Sequence, residues 1–474
     1  MSLLAFSAAL LTLGQNAFVA SETHHTMQLH GKTFAYTAIA NRAQIRNQDD
    51  VSEGEMFYVA YTKDGASPST RPILFGFNGG PGSASLWLHL GTFGPRRVEL
   101  TDKGELPKPP FKLVDNQETW IENADVVMVD APGTGLSRVP EANAAKFYGQ
   151  QSDLRAFSEF IKGYLVRTNR MTSPVYVAGE SYGGFRVAGL SSLLLNQGVA
   201  LSGIISISGT MNFSTLDAGK GNDLPYITFL PTFAATAFYH HKLNARLSKS
   251  FEATIAEAEK FAMGEYATAL LKGTSMSEDE EAKIARRYAE LTGLSEKFVR
   301  QCRLRVSDGR FYKELLRDEG KTIGRLDGRL TGTDIDDAGS GPEDDPSGWN
   351  GPAFNAMINE YLRNELKLQT DDKYRMWGGG NFPFPEGQYA DTSENLRQAM
   401  SQNPHLKVLF CCGYYDMACP YFGMQYNVNH MGLRREQLKN LQWTYYQAGH
   451  MMYIDKSCRE KLKADVDAFI LGKK

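Results

Sequence analysis

One serine of the chain stands in a setting that suits a nucleophile. Ser181 lies in Gly179-Glu-Ser-Tyr-Gly183, the only Gly-x-Ser-x-Gly match in the sequence. The two glycines permit a sharp turn beneath the serine, and the apolar residues 175–178 before it predict a strand. A serine at a strand-to-helix turn projects above the sheet edge, where its hydroxyl can attack a carbonyl. The alternative is an ordinary glycine-rich turn, so the pattern needs support from elsewhere.

A nucleophilic serine needs a base, and the base needs a carboxylate that orients it. His450 follows the predicted strand 442–446, and Asp416 follows a predicted strand that ends at Cys412. The order Ser, Asp, His is that of α/β-hydrolases, in which all three follow strand carboxyl ends. Of the nine histidines, only His450 has this order and this placement. The alternatives are a structural loop histidine and an aspartate that caps a turn.

The loop Asn78-Gly-Gly-Pro-Gly82 offers donors for an oxyanion. It follows the short apolar run 72–77, and its glycines let backbone N–H groups approach a substrate closely. In α/β-hydrolases the oxyanion hole combines this loop with the residue after the nucleophile, which here is Tyr182. A phosphate-binding loop is the alternative, but no Lys follows as in a P-loop.

Strand and helix patterns alternate through the first half of the chain. Besides the nucleophile strand, the predicted strands are 32–38, 55–61, 72–77, 125–130 and 203–208, and a helix is predicted over 150–168. Such alternation predicts an α/β fold with a mostly parallel sheet and helices on both faces.

The alternation stops between residues 212 and 399, which are largely helical in pattern. Helices are predicted over 230–270, 277–290, 295–303 and 353–365. Ser277 and Glu280 form a capping-box pattern. Strand patterns return at 405–412 and 442–446, and a helix closes the chain at 456–471. We therefore expect one α/β core, residues 21–211 and 400–474, with a helical cap insertion at 212–399 above the strand carboxyl ends.

Composition excludes some classes of function. The 474 residues are 42% hydrophobic and 22% charged, as in a large globular protein. Lys+Arg 51 against Asp+Glu 54 gives a net charge of −3, which favours neither nucleic acid nor an anionic membrane. Five cysteines are too few for a disulfide scaffold, and no His/Cys cluster has metal-ligand spacing. We expect no metal and no cofactor; the acidic stretch 334–350 lacks a calcium-loop ligand at Ala338.

The N-terminus resembles a secretory signal peptide. Residues 1–13 form an uncharged apolar run, and a second apolar patch ends at Ala20 before polar residues begin. This predicts cleavage near Ala20 and export, to the periplasm or the medium, without a membrane span in the mature chain. No Lys or Arg precedes the run, and Phe18 is large for a cleavage-site position. A buried or frayed N-terminal segment is the alternative.

Five blocks together resemble the signature motifs of the serine carboxypeptidases, the carboxypeptidase Y family. They are Asn78-Gly-Gly-Pro-Gly82, Asp130-Ala-Pro-Gly-Thr-Gly-Leu-Ser137, Glu180-Ser-Tyr-Gly183, Asp416-Met-Ala-Cys419 and Gly449-His-Met-Met-Tyr453. They run in family order from about residue 72 to 455, with the insertion where that family carries its cap. The resemblance implies an α/β-hydrolase fold and removal of C-terminal residues from peptide substrates with a free C-terminus.

The resemblance also implies roles for individual residues. Ser181, Asp416 and His450 would be the catalytic triad, and the backbone N–H groups of Gly80 and Tyr182 the oxyanion hole. The implied substrate-binding residues are Asn78, Gly79, Glu180, Cys419 and Met451. Among these, the side chains of Asn78 and Glu180 would hold the terminal carboxylate of the peptide. Cys419 matches a free thiol near the family's substrate pocket.

The chain departs from the family pattern at two positions. The family pairs the equivalent of Glu180 with a second Glu in a Glu-Leu-Gly-Pro block, which here reads Thr92-Phe-Gly-Pro95. A carboxyl binds a carboxylate only when protonated, so we expect a less acidic pH dependence, or help from a cation such as Arg186 or Arg138. Ser83 stands where the family often has a disulfide cysteine. The family's pairing therefore cannot be copied, and a bond from Cys411 or Cys412 to Cys458 is only one possibility.

The sequence thus predicts an exported serine carboxypeptidase. An acyltransferase or esterase on the same scaffold is the first alternative. All three enzymes form an acyl-enzyme, and the group that accepts the acyl chain determines which reaction results. A binding or protective protein that kept the fold without the activity is the second. The sequence makes no prediction of oligomeric state.

Overall fold

A computed structural model describes residues 18–47, 49–378, 382 and 388–473. The strands of this part are β1 (Ser21–Leu29), β2 (Lys32–Arg46), β3 (Ser52–Lys63), β4 (Ile73–Phe77), β5 (Arg96–Val98), β6 (Leu113–Asp115), β7 (Asp125–Val129), β8 (Val175–Glu180), β9 (Leu201–Ile207), β10 (Thr322–Ile323), β11 (Thr331–Gly332), β12 (Lys407–Gly413) and β13 (Leu441–Tyr446).

The α-helices of the same part are α1 (Leu86–Leu88), α2 (Gln150–Arg167), α3 (Tyr182–Asn196), α4 (Leu224–Tyr239), α5 (Phe251–Phe261), α6 (Ala267–Lys272), α7 (Glu278–Thr292), α8 (Glu296–Gln301), α9 (Asp308–Glu314), α10 (Gly351–Glu360), α11 (Ser393–Gln402), α12 (Tyr421–Asn429), α13 (Arg435–Leu438) and α14 (Lys456–Ile470). None of these helices, and no other helix of the described ranges, combines the length and the apolar character that crossing a membrane requires.

Nine strands form one sheet in the order β1-β2-β3-β7-β4-β8-β9-β12-β13. The pairs from β1 to β7 are antiparallel, and every pair from β7 to β13 is parallel. Strands β4, β7 and β8 are buried along their whole length, as expected of strands covered on both faces. The arrangement is the α/β-hydrolase fold, which confirms the predicted fold class.

Apolar side chains cover both faces of the sheet. Alternation along β7 sends Val127 and Val129 to one face and Val126 and Met128 to the other. Residues of α2 to α9, α11 and α12 complete the hydrophobic cluster on the first side, and residues of α10 and α14 complete the cluster on the second. Burial from both sides holds the central strands rigidly and fixes the edge at which their carboxyl ends meet.

The segment between β9 and β12 is mainly helical and also contains the two-stranded sheet of β10 and β11. Its predicted capping box is confirmed, because Ser277 Oγ accepts from the Glu280 amide and the Glu280 carboxylate accepts from the Ser277 amide. Helix α11 (Ser393–Gln402) packs on α3. The predicted boundary at residue 399 lies within this helix. In the acidic stretch 334–350, the carboxylate of Asp334 pairs with the Lys313 ammonium at 2.7 Å.

The first strand was not predicted from the sequence. Strand β1 (Ser21–Leu29) is an edge strand with exposed side chains at alternate positions, and its Thr and His residues do not read as a strand. Just before it, the Phe18 ring packs edge-on against Phe57, with centroids 6.1 Å apart, beneath the Arg42 guanidinium. Most of the predicted signal peptide, residues 1–17, lies outside the described residues, so its cleavage stays a prediction.

Candidate active site

Ser181 sits at the turn between β8 and α3, at the carboxyl edge of the sheet. Its backbone has φ 63° and ψ −125°, a conformation that is strained for a side chain other than glycine. A Cβ on Gly179 would lie 2.2 Å from the Gly183 carbonyl oxygen, so the turn closes only with glycine at that position. The glycine spacing of the motif therefore reflects close backbone packing beneath the serine.

His450 and Asp416 form a buried pair next to this turn. The Nδ1 atom of His450 lies 2.8 Å from Oδ2 of Asp416. The other oxygen of Asp416 accepts hydrogen bonds from the Ala418 and Cys419 amides at 2.8 and 2.9 Å, which fixes the carboxylate plane. Burial lowers the pKa of His450, but attraction and hydrogen bonding by Asp416 outweigh it, so the net pKa is raised.

Ser181 and His450 line one cavity of about 260 Å³. The other predicted site residues that line this cavity are Asn78, Gly79, Gly80, Glu180 and Met451. Asp416 lies behind His450 and does not line the cavity, and Cys419 places its thiol beside the Ser181 hydroxyl. The structure thus brings together residues that are up to 373 positions apart in the chain (Asn78 to Met451).

Several cavity-lining residues were not identified from the sequence. They are Ser83, Trp87, Arg325, Leu326, Gly348, Asn350, Gly351, Met376 and Trp377. The last two come from a segment that bonds to the residues just after the loop 78–82, since the Ala84 amide donates to the Met376 carbonyl at 2.9 Å and Ser83 forms a β-bridge with Trp377. Most of these positions belong to the insertion, where no sequence motif indicates which residues face the cavity.

The loop 78–82 lies directly against the nucleophile turn. A Cβ on Gly79 would lie 2.5 Å from the Tyr182 nitrogen, so only glycine lets the two segments approach this closely. Gly80 has φ +106°, which a side chain would strain. Within the described ranges, the amides of Gly80 and Tyr182 donate no hydrogen bond to the protein. Both donors therefore remain free for a ligand oxygen.

The block that begins at Asp130 supports this loop. Asp130 Oδ1 accepts from the Ser85 amide at 2.8 Å and from the Tyr374 hydroxyl at 3.1 Å. A Cβ on Gly135, which has φ +50°, would lie 1.7 Å from Asp130 Oδ2. Burial raises the pKa of Asp130 to about 6. The motif therefore holds the loop 78–82 in place and does not enter the cavity.

Asn78 and Glu180 form a polar pair on the cavity wall. The Asn78 Nδ2 donates to Glu180 Oε1 at 2.9 Å, and Asn78 Oδ1 accepts from the Leu88 amide at 3.0 Å. Burial raises the pKa of Glu180 to about 7, against the opposing influence of His450, of the nearby Tyr453 hydroxyl and of the Asn78 amide. Glu180 is thus protonated in acid and can donate to an anion, although no second Glu accompanies it.

Neither Arg186 nor Arg138 is placed to assist Glu180 in binding a carboxylate, although the sequence suggested this role. Arg186 is completely buried and donates to both oxygens of Asp153, at 2.8 and 3.0 Å, and to the Asn78 carbonyl at 2.7 Å. It therefore fixes the loop from beneath and cannot contact a ligand. Arg138 bonds to backbone carbonyls and to Asp372, away from the cavity. Among the described residues the cation that lines the cavity is Arg325.

All five cysteines are buried free thiols. The possible bond to Cys458 is therefore absent. Cys411 and Cys412 are neighbours on β12 and face opposite sides of the sheet, which keeps their sulfur atoms apart. Burial raises the pKa of the Cys419 thiol, so it stays protonated at neutral pH.

Comparison with known proteins assigns most of the chain to one family. The model of a family described as serine carboxypeptidase matches residues 44–462. Serine carboxypeptidase S10 family member 1 of Dictyostelium discoideum is 27% identical over 208 residues, 44% of this chain and 45% of that protein. The pheromone-processing carboxypeptidase KEX1 of Saccharomyces cerevisiae is 27% identical over 165 residues, 33% of this chain and 21% of that protein. The matched regions thus span less than half the length of these relatives.

Solved structures that align with the chain include a proline iminopeptidase of Mycobacterium smegmatis. It is 14% identical, has a TM-score of 0.39, and the alignment covers 91% of this chain and 98% of that one. VinJ is 11% identical with a TM-score of 0.40, over 92% and 99% of the two chains.

Proposed function

The chain belongs to the serine carboxypeptidase family, and from that premise we propose that it hydrolyses the C-terminal peptide bond of peptides through an acyl-enzyme at Ser181. One observation carries the proposal. The Asn78–Glu180 pair, which can hold a carboxylate, lines the same cavity as Ser181 and His450. A general esterase has no need of a carboxylate site at this place.

The first half-reaction forms the acyl-enzyme. The Ser181 hydroxyl attacks the carbonyl carbon of the last peptide bond, and Nε2 of His450 takes its proton. Asp416 holds Nδ1 as the protonated nitrogen, since Oδ2 lies 2.8 Å from it, and stabilises the imidazolium that forms. The free amides of Gly80 and Tyr182 bind the oxyanion. His450 then protonates the leaving amino group, and the C-terminal amino acid departs.

The second half-reaction restores the serine. A water molecule gives a proton to His450 and attacks the acyl carbon, and the same two amides bind the second oxyanion. The shortened peptide leaves when His450 returns the proton to Ser181. Both half-reactions thus use one base, His450, and one pair of oxyanion donors.

Recognition of the free C-terminus depends on the protonation of Glu180. The neutral carboxyl donates a hydrogen bond to the terminal carboxylate, beside the Asn78 amide. Once ionised, it repels the carboxylate. Trp87, Met376 and Met451 give the rest of the cavity an apolar wall, which suits apolar side chains next to the scissile bond.

A comparison of substrates tests this proposal against its alternatives. An N-blocked dipeptide should release its C-terminal amino acid, and the same dipeptide as a C-terminal amide should react far more slowly. Equal turnover of the two, or turnover of nitrophenyl esters alone, would identify an esterase. Failure of Ser181 to react with an organophosphonate would favour the non-catalytic alternative.

We further propose export, which rests on the apolar N-terminal run in the sequence. Cleavage near Ala20 would remove Phe18 from its contacts with Phe57 and Arg42. N-terminal sequencing of the protein recovered from cells, with parallel assays of the periplasm and medium, tests both points. An intact N-terminus together with activity confined to the cytoplasm would contradict them.

A further inference from the structure

Tyr453 lies three residues after His450 and is completely buried. Its hydroxyl faces the carboxyl of Glu180 and the amide of Asn78. The hydroxyl of Tyr453 and Oε2 of Glu180 are both out of contact with solvent, and neither closes a hydrogen bond of normal geometry within the described residues. Two buried polar groups that face each other without other partners form a natural donor–acceptor pair.

The space for the tyrosine ring is made by a glycine. A Cβ on Gly91 would lie 2.5 Å from both Cδ2 and Cε2 of Tyr453, so a larger residue there would displace the ring. Gly91 directly precedes Thr92, the position at which the family pattern has its second Glu. The tyrosine ring thus lies beside the chain segment that would otherwise carry the missing carboxyl.

We propose that Tyr453 is a positioning residue whose hydroxyl orients the Glu180 carboxyl toward the terminal carboxylate of the substrate. The proposal rests on the carboxypeptidase function proposed above. Asn78 already donates to Oε1, so the acid proton belongs on Oε2. In this arrangement the Tyr453 O–H donates to Oε2, and the acid proton on that oxygen points away from the tyrosine. Without the hydroxyl, Asn78 alone would orient the carboxyl.

The hydroxyl differs from a second carboxyl in its effect on pH dependence. A neighbouring carboxyl raises the pKa of Glu180, whereas a hydroxyl donor stabilises the ionised form and lowers it. The other groups that act on Glu180 are His450, Asp416 and Asn78, and the Cys419 thiol lies nearby. Arg459 bonds to Glu118 and to the backbone carbonyl of Tyr453, and not to the tyrosine hydroxyl. A change at the hydroxyl therefore leaves all of these in place.

The test is the pH profile of kcat/KM for Tyr453→Phe on an N-blocked dipeptide. We expect kcat/KM on the acid side of the alkaline limb to fall about tenfold, mainly through KM, because a binding contact is lost in ground and transition states alike. We also expect the alkaline limb to move up by about one pH unit, because the ionised form of Glu180 loses a donor. Tyr288→Phe is the matched control, since that hydroxyl is equally buried and unbonded within the described residues but lies in α7.

Two further variants separate positioning from general damage. In a Glu180→Gln background, Tyr453→Phe should change kcat/KM less than about twofold, because the group it positions no longer ionises. Replacement of Tyr453 by 3-fluorotyrosine keeps the ring and strengthens the donor, so the alkaline limb should move to lower pH. The fluorotyrosine variant therefore tests the role of the hydroxyl even if the Phe variant folds poorly.

The inference is wrong if the alkaline limb of the kcat/KM profile stays at the wild-type pH in both Tyr453→Phe and the fluorotyrosine variant. It is also wrong if the loss from Tyr453→Phe persists undiminished in the Glu180→Gln background. Absence of any C-terminal cleavage by the wild-type protein would instead contradict the proposed function, so the two failures are distinguishable.

Discussion

The Arg186 guanidinium lies completely buried between the Asp153 carboxylate and the Asn78 carbonyl, at 2.8 and 2.7 Å. One side chain thus joins α2, α3 and the loop 78–82 beneath Ser181. Its removal would leave the Asp153 charge buried and unpaired. The position of the loop 78–82 therefore depends on an ion pair that is completely buried.

Arg186→Met should destabilise the protein by about 3 to 5 kcal/mol, the usual cost of an uncompensated buried charge. Urea unfolding monitored by fluorescence measures the change. Lys283→Ala is the control, because Lys283 pairs with Glu265 on the exposed surface and should cost at most about 1 kcal/mol. A loss equal to that of the control would show that the buried pair contributes nothing.

Asp416→Asn should lower kcat on the order of 10⁴-fold, because an amide that donates to His450 Nδ1 selects the wrong tautomer. Steady-state kinetics measure the loss, and thermal unfolding checks that the fold is kept. The Ala418 and Cys419 amides bond to the other oxygen, so the side chain should stay in place. Activity within tenfold of wild type would exclude Asp416 as the orienting acid.

Gly79→Ala should lower kcat at least about 10²-fold, because its Cβ would push against the Tyr182 amide and displace an oxyanion donor. Gly264→Ala is the matched control, since a Cβ there meets nothing within 4 Å. Kinetics on one ester and one peptide should show the loss with both substrates. Unchanged kcat would mean that the oxyanion is bound elsewhere.

The kcat/KM profile on a free-acid substrate should fall above about pH 7. The pKa of Glu180 is raised to about 7 by burial, so the carboxyl is neutral and able to bind below that pH and ionised above it. Glu180→Gln should remove this alkaline limb and keep the acid limb, which follows His450. A substrate amide should also lack the limb. Activity that already decreases as the pH rises from 5 to 6 would contradict this assignment.

The sequence predicted those parts of the site that depend on glycine spacing, strand order and apolar runs. Ser181 was identifiable from glycine spacing, because that spacing records a backbone approach within one turn. Asp416 and His450 were identifiable because strand order determines which chain ends meet. The central strands were predicted since burial on both faces leaves unbroken apolar runs, as in β7 and β8. That these residues perform catalysis stays a prediction.

What the sequence could not show depends on packing between distant segments. No sequence pattern indicates that Arg186 points into the core toward Asp153. Nor does one indicate that Arg325 lines the cavity. The raised pKa of Glu180 comes from burial, whereas the family pattern suggested that a second carboxyl was needed. Strand β1 (Ser21–Leu29) escaped prediction because a polar edge strand has no apolar alternation.

Mass spectrometry of paired peptides tests most directly whether Ser181 removes C-terminal residues. Each peptide is incubated as the free acid and as the C-terminal amide, with the wild-type protein and with Ser181→Ala. We predict stepwise loss of single residues from the C-terminus of the free acids, little loss from the amides, and none with the variant. Internal cleavage, equal cleavage of the amides, or products that persist with Ser181→Ala would contradict the proposed function.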